Sequence, residues 1–252
     1  MQHGESMHYK HVLFSAIGVI LLITRLSAGD DSAEKTILKL GGKVARDDKA
    51  DGKPIIAVYL GFTNVTDASL KELAGLKSLK QLDLAGTGVT DRALKELADL
   101  KHLHKLNVAA TKITDAGLKE LAGLKNLQSL DIGLTRVTDA GAKELAGLKN
   151  LHTLDLGFTK LTDAGLKELA KLENLQTISL ASVKMTDAGV KELAGYKSLQ
   201  NLNLAGTDVT DAACKDLAGL ASLRSLDLTS TGLSAACLAE LRKALPKCQI
   251  KP

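Results

Sequence analysis

A threonine recurs every 24 residues along most of this chain. It stands at Thr66, Thr90, Thr114, Thr138, Thr162, Thr186 and Thr210, with Ser234 in the eighth place. An aspartate follows each threonine from Asp67 to Asp211, and Ala235 ends the series. Equal spacings without an insertion require a stack of identical supersecondary units, each touching only its neighbours. Such a stack is elongated and rich in surface. It suits contact with partners better than an enclosed active site.

Residues 79–102, LKQLDLAGTGVTDRALKELADLKH, show what one unit does. Leu79, Leu82 and Leu84 form the pattern L-x-x-L-x-L. The alternation at Leu82-Asp83-Leu84 predicts a short strand, apolar in and polar out. Gly86-Thr87-Gly88 turn the chain, and Val89 points back inward. Thr90 and Asp91 are helix-start residues, because a side-chain oxygen can accept from the first unpaired amides. Leu94, Leu97 and Leu100 follow at helical spacing. One unit cannot bury its leucines alone, whereas eight stacked units share a continuous core.

The pattern L-x-x-L-x-L-x-x-T-x-V-T-D-A-G-L-K-E-L resembles the leucine-rich repeats, in their ribonuclease-inhibitor-like and cysteine-containing subclasses, and is most similar to exported bacterial members. The resemblance covers roughly residues 55–252. It implies an α/β right-handed solenoid, a horseshoe arc of about eight strand-turn-helix repeats, with a parallel sheet on the concave face and helices on the convex face. The family places Asn or Cys after the strand, where the side chain bonds neighbouring loops. Here the column is Thr63, Thr87, Thr111, Thr135, Thr159, Thr207 and Thr231, a hydroxyl ladder. Val183 breaks it in the sixth repeat, where a local rearrangement is expected. On the helix face, Asp67 with Lys71 and its equivalents through Asp211 with Lys215 read as i,i+4 pairs of about 0.2–0.5 kcal/mol each. The aspartates read as caps and dipole partners rather than as cation ligands, since no repeat carries a calcium loop.

The repeats make residues 55–252 one domain, with a C-terminal cap from about 235. Aromatics are 2% of the chain, so the core is Leu, Val, Ile and Ala. Pro54, Pro246 and Pro252 bracket the stack. Residues 1–28 read as a secretory signal peptide: Lys10 and His11 precede an apolar run from Val12 to Ile23, and Ser27-Ala28-Gly29 offer a cleavage site. An uncleaved anchor is the alternative, because Arg25 stands close to that site. Either Met1 or Met7 can be the start. No Cys is near, which argues against a lipoprotein anchor. Losing residues 1–28 removes Lys10, Arg25 and Glu5, so the net charge of +4 falls by one to +3. That is too mild for nucleic acid. Residues 29–54 read as an N-terminal cap, with a helix over Ala33 to Leu40, a stop at Gly41-Gly42, a strand over Lys43 to Arg46 and a loop to Lys53.

The cysteines are Cys214, Cys237 and Cys248. Buried small hydrophobes are the favoured reading. A disulfide of Cys237 with Cys248 or with Cys214, closing the cap, is the other. No catalytic constellation, cofactor motif or metal-ligand spacing is present, and His104 and His152 stand two repeats apart. The chain reads as a non-enzyme without a cofactor.

The concave face remains. Its central outward column is Tyr59, Asp83, Asn107, Asp131, Asp155, Ser179, Asn203 and Asp227, beside a column of Gly and Ala. After the strand come Phe62, Gly86, Ala110, Leu134, Phe158, Ser182, Gly206 and Ser230. Two steps on, Lys112, Arg136, Lys160 and Lys184 give four consecutive bases. Leu134 and Phe158 flanked by these bases, with Asp131 and Asp155 below, have the composition of a protein-binding hot spot. The expectation is an exported protein–protein interaction module. It binds a protein or peptide with an acidic element on repeats three to six. It takes no nucleic acid, meets the membrane only through an uncleaved leader, and is a monomer. A structural envelope component, self-associating or binding cell-wall polysaccharide, is the alternative, though few aromatics remain for sugar. Related eukaryotic repeats serve as substrate receptors in ubiquitin ligases. That third reading is set aside because an export signal, and no adaptor-binding domain, precedes the repeats.

Overall fold

The structure is a computed structural model that describes residues 28–252. Ten strands form one open sheet in chain order. They are β1 (Lys43–Arg46), β2 (Ile55–Tyr59), β3 (Gln81–Asp83), β4 (Lys105–Asn107), β5 (Ser129–Asp131), β6 (Thr153–Asp155), β7 (Thr177–Ser179), β8 (Asn201–Asn203), β9 (Ser225–Asp227) and β10 (Gln249–Lys251). From β2 onward every pair is parallel and shifted by one repeat, so Asp131 faces Asp155 as Asp83 faces Asn107. Only β1 is antiparallel, to β2. The convex elements are short. Asp67–Leu70 is a single α turn continued by a 3-10 helix, Lys71–Gly75, whereas Asp91–Leu97, Asp139–Leu145 and Asp163–Leu169 are α-helices of two turns. The leader expected over residues 1–28 falls, but for Ala28, outside the described residues.

The leucine columns fill the space between sheet and helices. Leu82, Leu106, Leu130 and Leu154 project inward from the strands against Leu97, Leu121, Leu145 and Leu169, all buried. Aliphatic side chains buried at about 1.5–3 kcal/mol each are the main stabilising term. The first helix, α1, spans Ala28–Lys39 and so starts five residues before the predicted Ala33. It covers the first repeat with Ala33 and Ile37. Buried Asp30 accepts from the Ile55 amide at 3.0 Å, and Arg46 bridges Asp31 and Glu34. These contacts join the cap to the stack.

The aspartate column works between repeats. The Asp67 carboxylate accepts from both the amide and the hydroxyl of Thr90 in the next repeat, each at 2.7 Å. The same pair recurs from Asp91 to Thr114 and on to Asp187 and Thr210. Each threonine hydroxyl, oriented by that bond, then accepts from an amide two residues on, as Thr114 does from Ala116. Thr66 has no aspartate before it and makes no cap bond. This corrects the expected i,i+4 pairing, which is absent from the ion pairs among the described residues. Two short bonds to fixed partners hold the carboxylate better than a flexible lysine can. The hydroxyl ladder is corrected too. Thr87 donates to its own Leu84 carbonyl at 2.6 Å, and its equivalents do likewise, so the bonds close each turn rather than link turns. Val183 is buried in that place and rearranges the turn locally: its amide still donates to the Leu180 carbonyl, but the Met185 amide donates to the Val183 carbonyl, and the Lys184 amide lacks the bond one repeat back that Lys160 makes to the Val137 carbonyl.

Cys214 and Cys237 form a disulfide, with Cα atoms 5.8 Å apart, and Cys248 is free. The two sulfurs are buried, as the favoured reading had it, but they are bonded. The reason is a contact that recurs between repeats. Leu94 lies over Gly117, Leu118 over Gly141 and Leu166 over Gly189, each pair 23 positions apart, and Cys214 with Cys237 occupies the same pair of places.

Candidate functional site

Three columns side by side make the concave face and its rim. The first is polar. Asp83, Asn107, Asp131, Asp155, Asn203 and Asp227 each accept, through Oδ1, the amide two residues on, at 2.8–3.0 Å. One oxygen of each aspartate is thereby held, and the second oxygen of Asp227 pairs with Lys251 at 2.9 Å. Burial pushes the Asp131 carboxyl above the usual carboxylate range. The Gly133 amide pulls it partly back, and Asp155 and Asp83 add to the rise. Beside this column Gly133 and Gly157 stand where repeats two, three, six and seven have alanine. A Cβ at Gly133 would lie 3.3 Å from Asp131 Oδ1 and 3.4 Å from Asp155 Oδ1, so glycine lets both carboxylates lie close over the strand.

The second column carries a backbone feature that the sequence announced only at Gly86 and Gly206. Every member from Phe62 to Ser230 has φ between 54° and 67°. This left-handed turn costs a side-chain-bearing residue about 1–2 kcal/mol, which glycine avoids. Leu134 (φ 57°) and Phe158 (φ 59°) adopt it nonetheless and are each 57% exposed. Phe62 is more exposed still, at 84%, and leans over Gly86. The sequence reading left Phe62 outside the site. Two glycines in its column were the signal that bulky members must project.

The third column is the basic rim. Lys112, Arg136, Lys160 and Lys184 are all exposed, and among the described residues none forms an ion pair. The structure therefore brings all eight expected residues into three adjacent rows over repeats three to six. A groove of about 340 Å³ on the concave sheet is offset from them. It reaches Asp131 and Asp155 but runs toward repeat one, lined also by Tyr59, Gln81, Asp83 and Lys105. Among the described residues no three His, Cys, Asp or Glu side chains come together as a metal would need, and no helix is long and apolar enough to cross a membrane.

Residues 58–249 match the family described as "Leucine-rich repeat region". The chain belongs to the leucine-rich repeat family. Of solved structures, internalin C2 from Listeria monocytogenes is similar at 24% identity and a TM-score of 0.63, over 88% of this chain and 93% of that one. A leucine-rich repeat protein of Leptospira interrogans is similar at 26% identity and a TM-score of 0.51, over 72% of this chain and 51% of that one. No curated protein matches the chain. The fold of this repeat protein is thus a general protein–protein interaction module, a scaffold whose specificity lies in the residues on its faces.

Proposed function

We propose that this leucine-rich repeat protein is an exported, non-catalytic module that binds a protein or peptide partner on the concave face and loop rim of repeats three to six. The carrying observation is a coincidence in two neighbouring repeats. Only the stretches Asp131-Ile132-Gly133-Leu134-Thr135-Arg136 and Asp155-Leu156-Gly157-Phe158-Thr159-Lys160 combine acid, glycine, a bulky left-handed residue and a base. Folding gains nothing from Leu134 or Phe158 at positive φ, because glycine suffices at Gly86 and Gly206. Apolar anchors ringed by charge are how binding energy is concentrated. Export is supported by the apolar run Val12 to Ile23 and by the Cys214–Cys237 disulfide, a bond that persists in oxidising compartments.

The test uses the full chain with a C-terminal tag, crosslinked in the cells that make it, beside an Arg136→Glu, Phe158→Gly variant. Glycine suits the backbone at Phe158, so the variant keeps its fold. A partner recovered with the native chain and reduced roughly tenfold with the variant is the expected result. The same partners with both chains would remove the site. Recovery of the chain alone would point to self-association.

A further inference from the structure

The spacing of the rim selects the shape of what can lie along it. The loops that carry the bases keep strand register: Thr90 bridges to Lys112, Thr138 to Lys160 and Thr162 to Lys184, all in parallel, and the Arg136 amide donates to the Ile113 carbonyl. Neighbouring bases are therefore about 4.8 Å apart along the stack, and the first and fourth about 14 Å apart. All four are exposed, and no ion pair among the described residues engages them. The row is a ruler of unneutralised positive charge.

An extended segment presents one face every second residue. Three such steps span about 20 Å, which leaves it some 6 Å out of register by the fourth base. A polyproline helix is worse, at about 9 Å per turn. An α-helix brings residues i, i+3, i+7 and i+10 to one side, and at 1.5 Å per residue these span about 15 Å. That fits the rim almost one to one. The adjoining row supports the same element. Leu134 and Phe158 are also one repeat apart, beside Arg136 and Lys160, and Ala110 and Ser182 on either side are small. A helix thus finds two apolar anchors at mid-length and room at both ends.

We infer that the docking element of the partner is an amphipathic α-helix, acidic at i, i+3, i+7 and i+10 and apolar at i+4 and i+8, lying along the rim of repeats three to six. The inference rests on the interaction face proposed above and names the chemistry of its occupant. Such a helix of three to four turns is marginal alone in water, so it gains helicity on docking.

The experiment titrates the full chain into labelled peptides of about sixteen residues, followed by fluorescence anisotropy and circular dichroism. One peptide carries glutamate and leucine in the stated order. A second has the same composition with the glutamates spread around all faces. A third is the first with a central proline. The ordered peptide is expected to bind at least tenfold tighter than either control, to gain helical signal, and to lose at least tenfold against a Lys112→Glu, Arg136→Glu, Lys160→Glu, Lys184→Glu variant of unchanged thermal stability. Equal affinity for the first two peptides, full binding of the proline peptide, or no binding of the ordered one overturns the helix. If crosslinking still depends on Arg136 and Phe158 in that case, the face stands and only its occupant changes. If crosslinking ignores them, both readings fall.

Discussion

At the scale of single residues, Asp131 carries an electrostatic cost that its neighbours show how to avoid. Its folded-state acidity is weakened by burial first, with the Asp155 and Asp83 charges adding to the rise against the Gly133 amide. A carboxyl with a raised folded value favours the fold when protonated, and that contribution disappears as pH rises through the folded value. At neutral pH the ionised group therefore opposes folding. Asn107 and Asn203 make the same turn bond without charge. Asp131→Asn should raise the stability at neutral pH, by less than about 1 kcal/mol after solvent screening. The difference should vanish below about pH 3, where aspartate is neutral in both states. Thermal melts of the two chains at both pH values decide it; a variant less stable at neutral pH would show that the charge is compensated. The left-handed column makes a second point at this scale. Its chain reversal was legible from Gly86 and Gly206. That phenylalanine and leucine take the same φ was not, because propensity argues against it.

Between elements, the clamp from aspartate to the next threonine explains a feature of the repeat that helix propensity does not. Glycine lies inside a helix at Gly117, Gly141, Gly165 and Gly189, where it weakens the helix relative to alanine. A Cβ at Gly117 would come 2.4 Å from Asp91 Oδ1, so the glycine makes room for the carboxylate that holds Thr114. Ala93 and Ala213 stand in the same column, and the clamps from Asp67 and Asp187 beside them keep lengths of 2.7–2.8 Å, so a small backbone adjustment accommodates a methyl there. Asp91→Ala should cost about 2 kcal/mol, since it removes two bonds from Thr114. Gly117→Ala should cost about 1–2 kcal/mol, because the methyl meets that carboxylate. The double variant should cost less than the sum, since the clash needs both partners. Urea midpoints of the four chains complete the cycle, and strict additivity would mean that glycine and aspartate are independent. A second link between repeats escaped the sequence reading. Asn126, Asn150 and Asn174 donate to the carbonyls of Lys101, Lys125 and Lys149 at 2.8–2.9 Å. Their periodicity was visible, but nothing in it names a carbonyl 25 residues back as the acceptor.

For the whole molecule, stability is a sum of repeats and interfaces, and the ends are where such a stack opens. The two ends are secured differently. The first is closed by α1 through buried Asp30 and the Arg46 pairs. The last is closed by a covalent bond, with the helix Ala235–Ala244 tied through Cys237 to Cys214. A crosslink over a loop of this size contributes about 3 kcal/mol. Reduction, or Cys214→Ala with Cys237→Ala, should therefore lower stability by about that amount. Hydrogen exchange should show protection lost first in β9, β10 and the terminal helix. Uniform loss along the stack would mean that the molecule opens as one unit.

The sequence by itself determined the architecture. Its period is constant, so one repeat read correctly is every repeat, and the alternation of Leu82, Asp83 and Leu84 suffices to assign face and register. It also placed the eight candidate residues in their rows, since residues 24 apart must stack. Three matters were decided only in the tertiary structure: that the aspartates bond forward rather than to their own lysines, that Cys214 selects Cys237, and that Phe62, Leu134 and Phe158 project from left-handed turns. The third is a local backbone φ that propensity argues against, and the first two depend on the offset between adjacent repeats. That offset follows from how side chains of one unit pack on the next, so it cannot be read within a single unit, however often the unit is repeated.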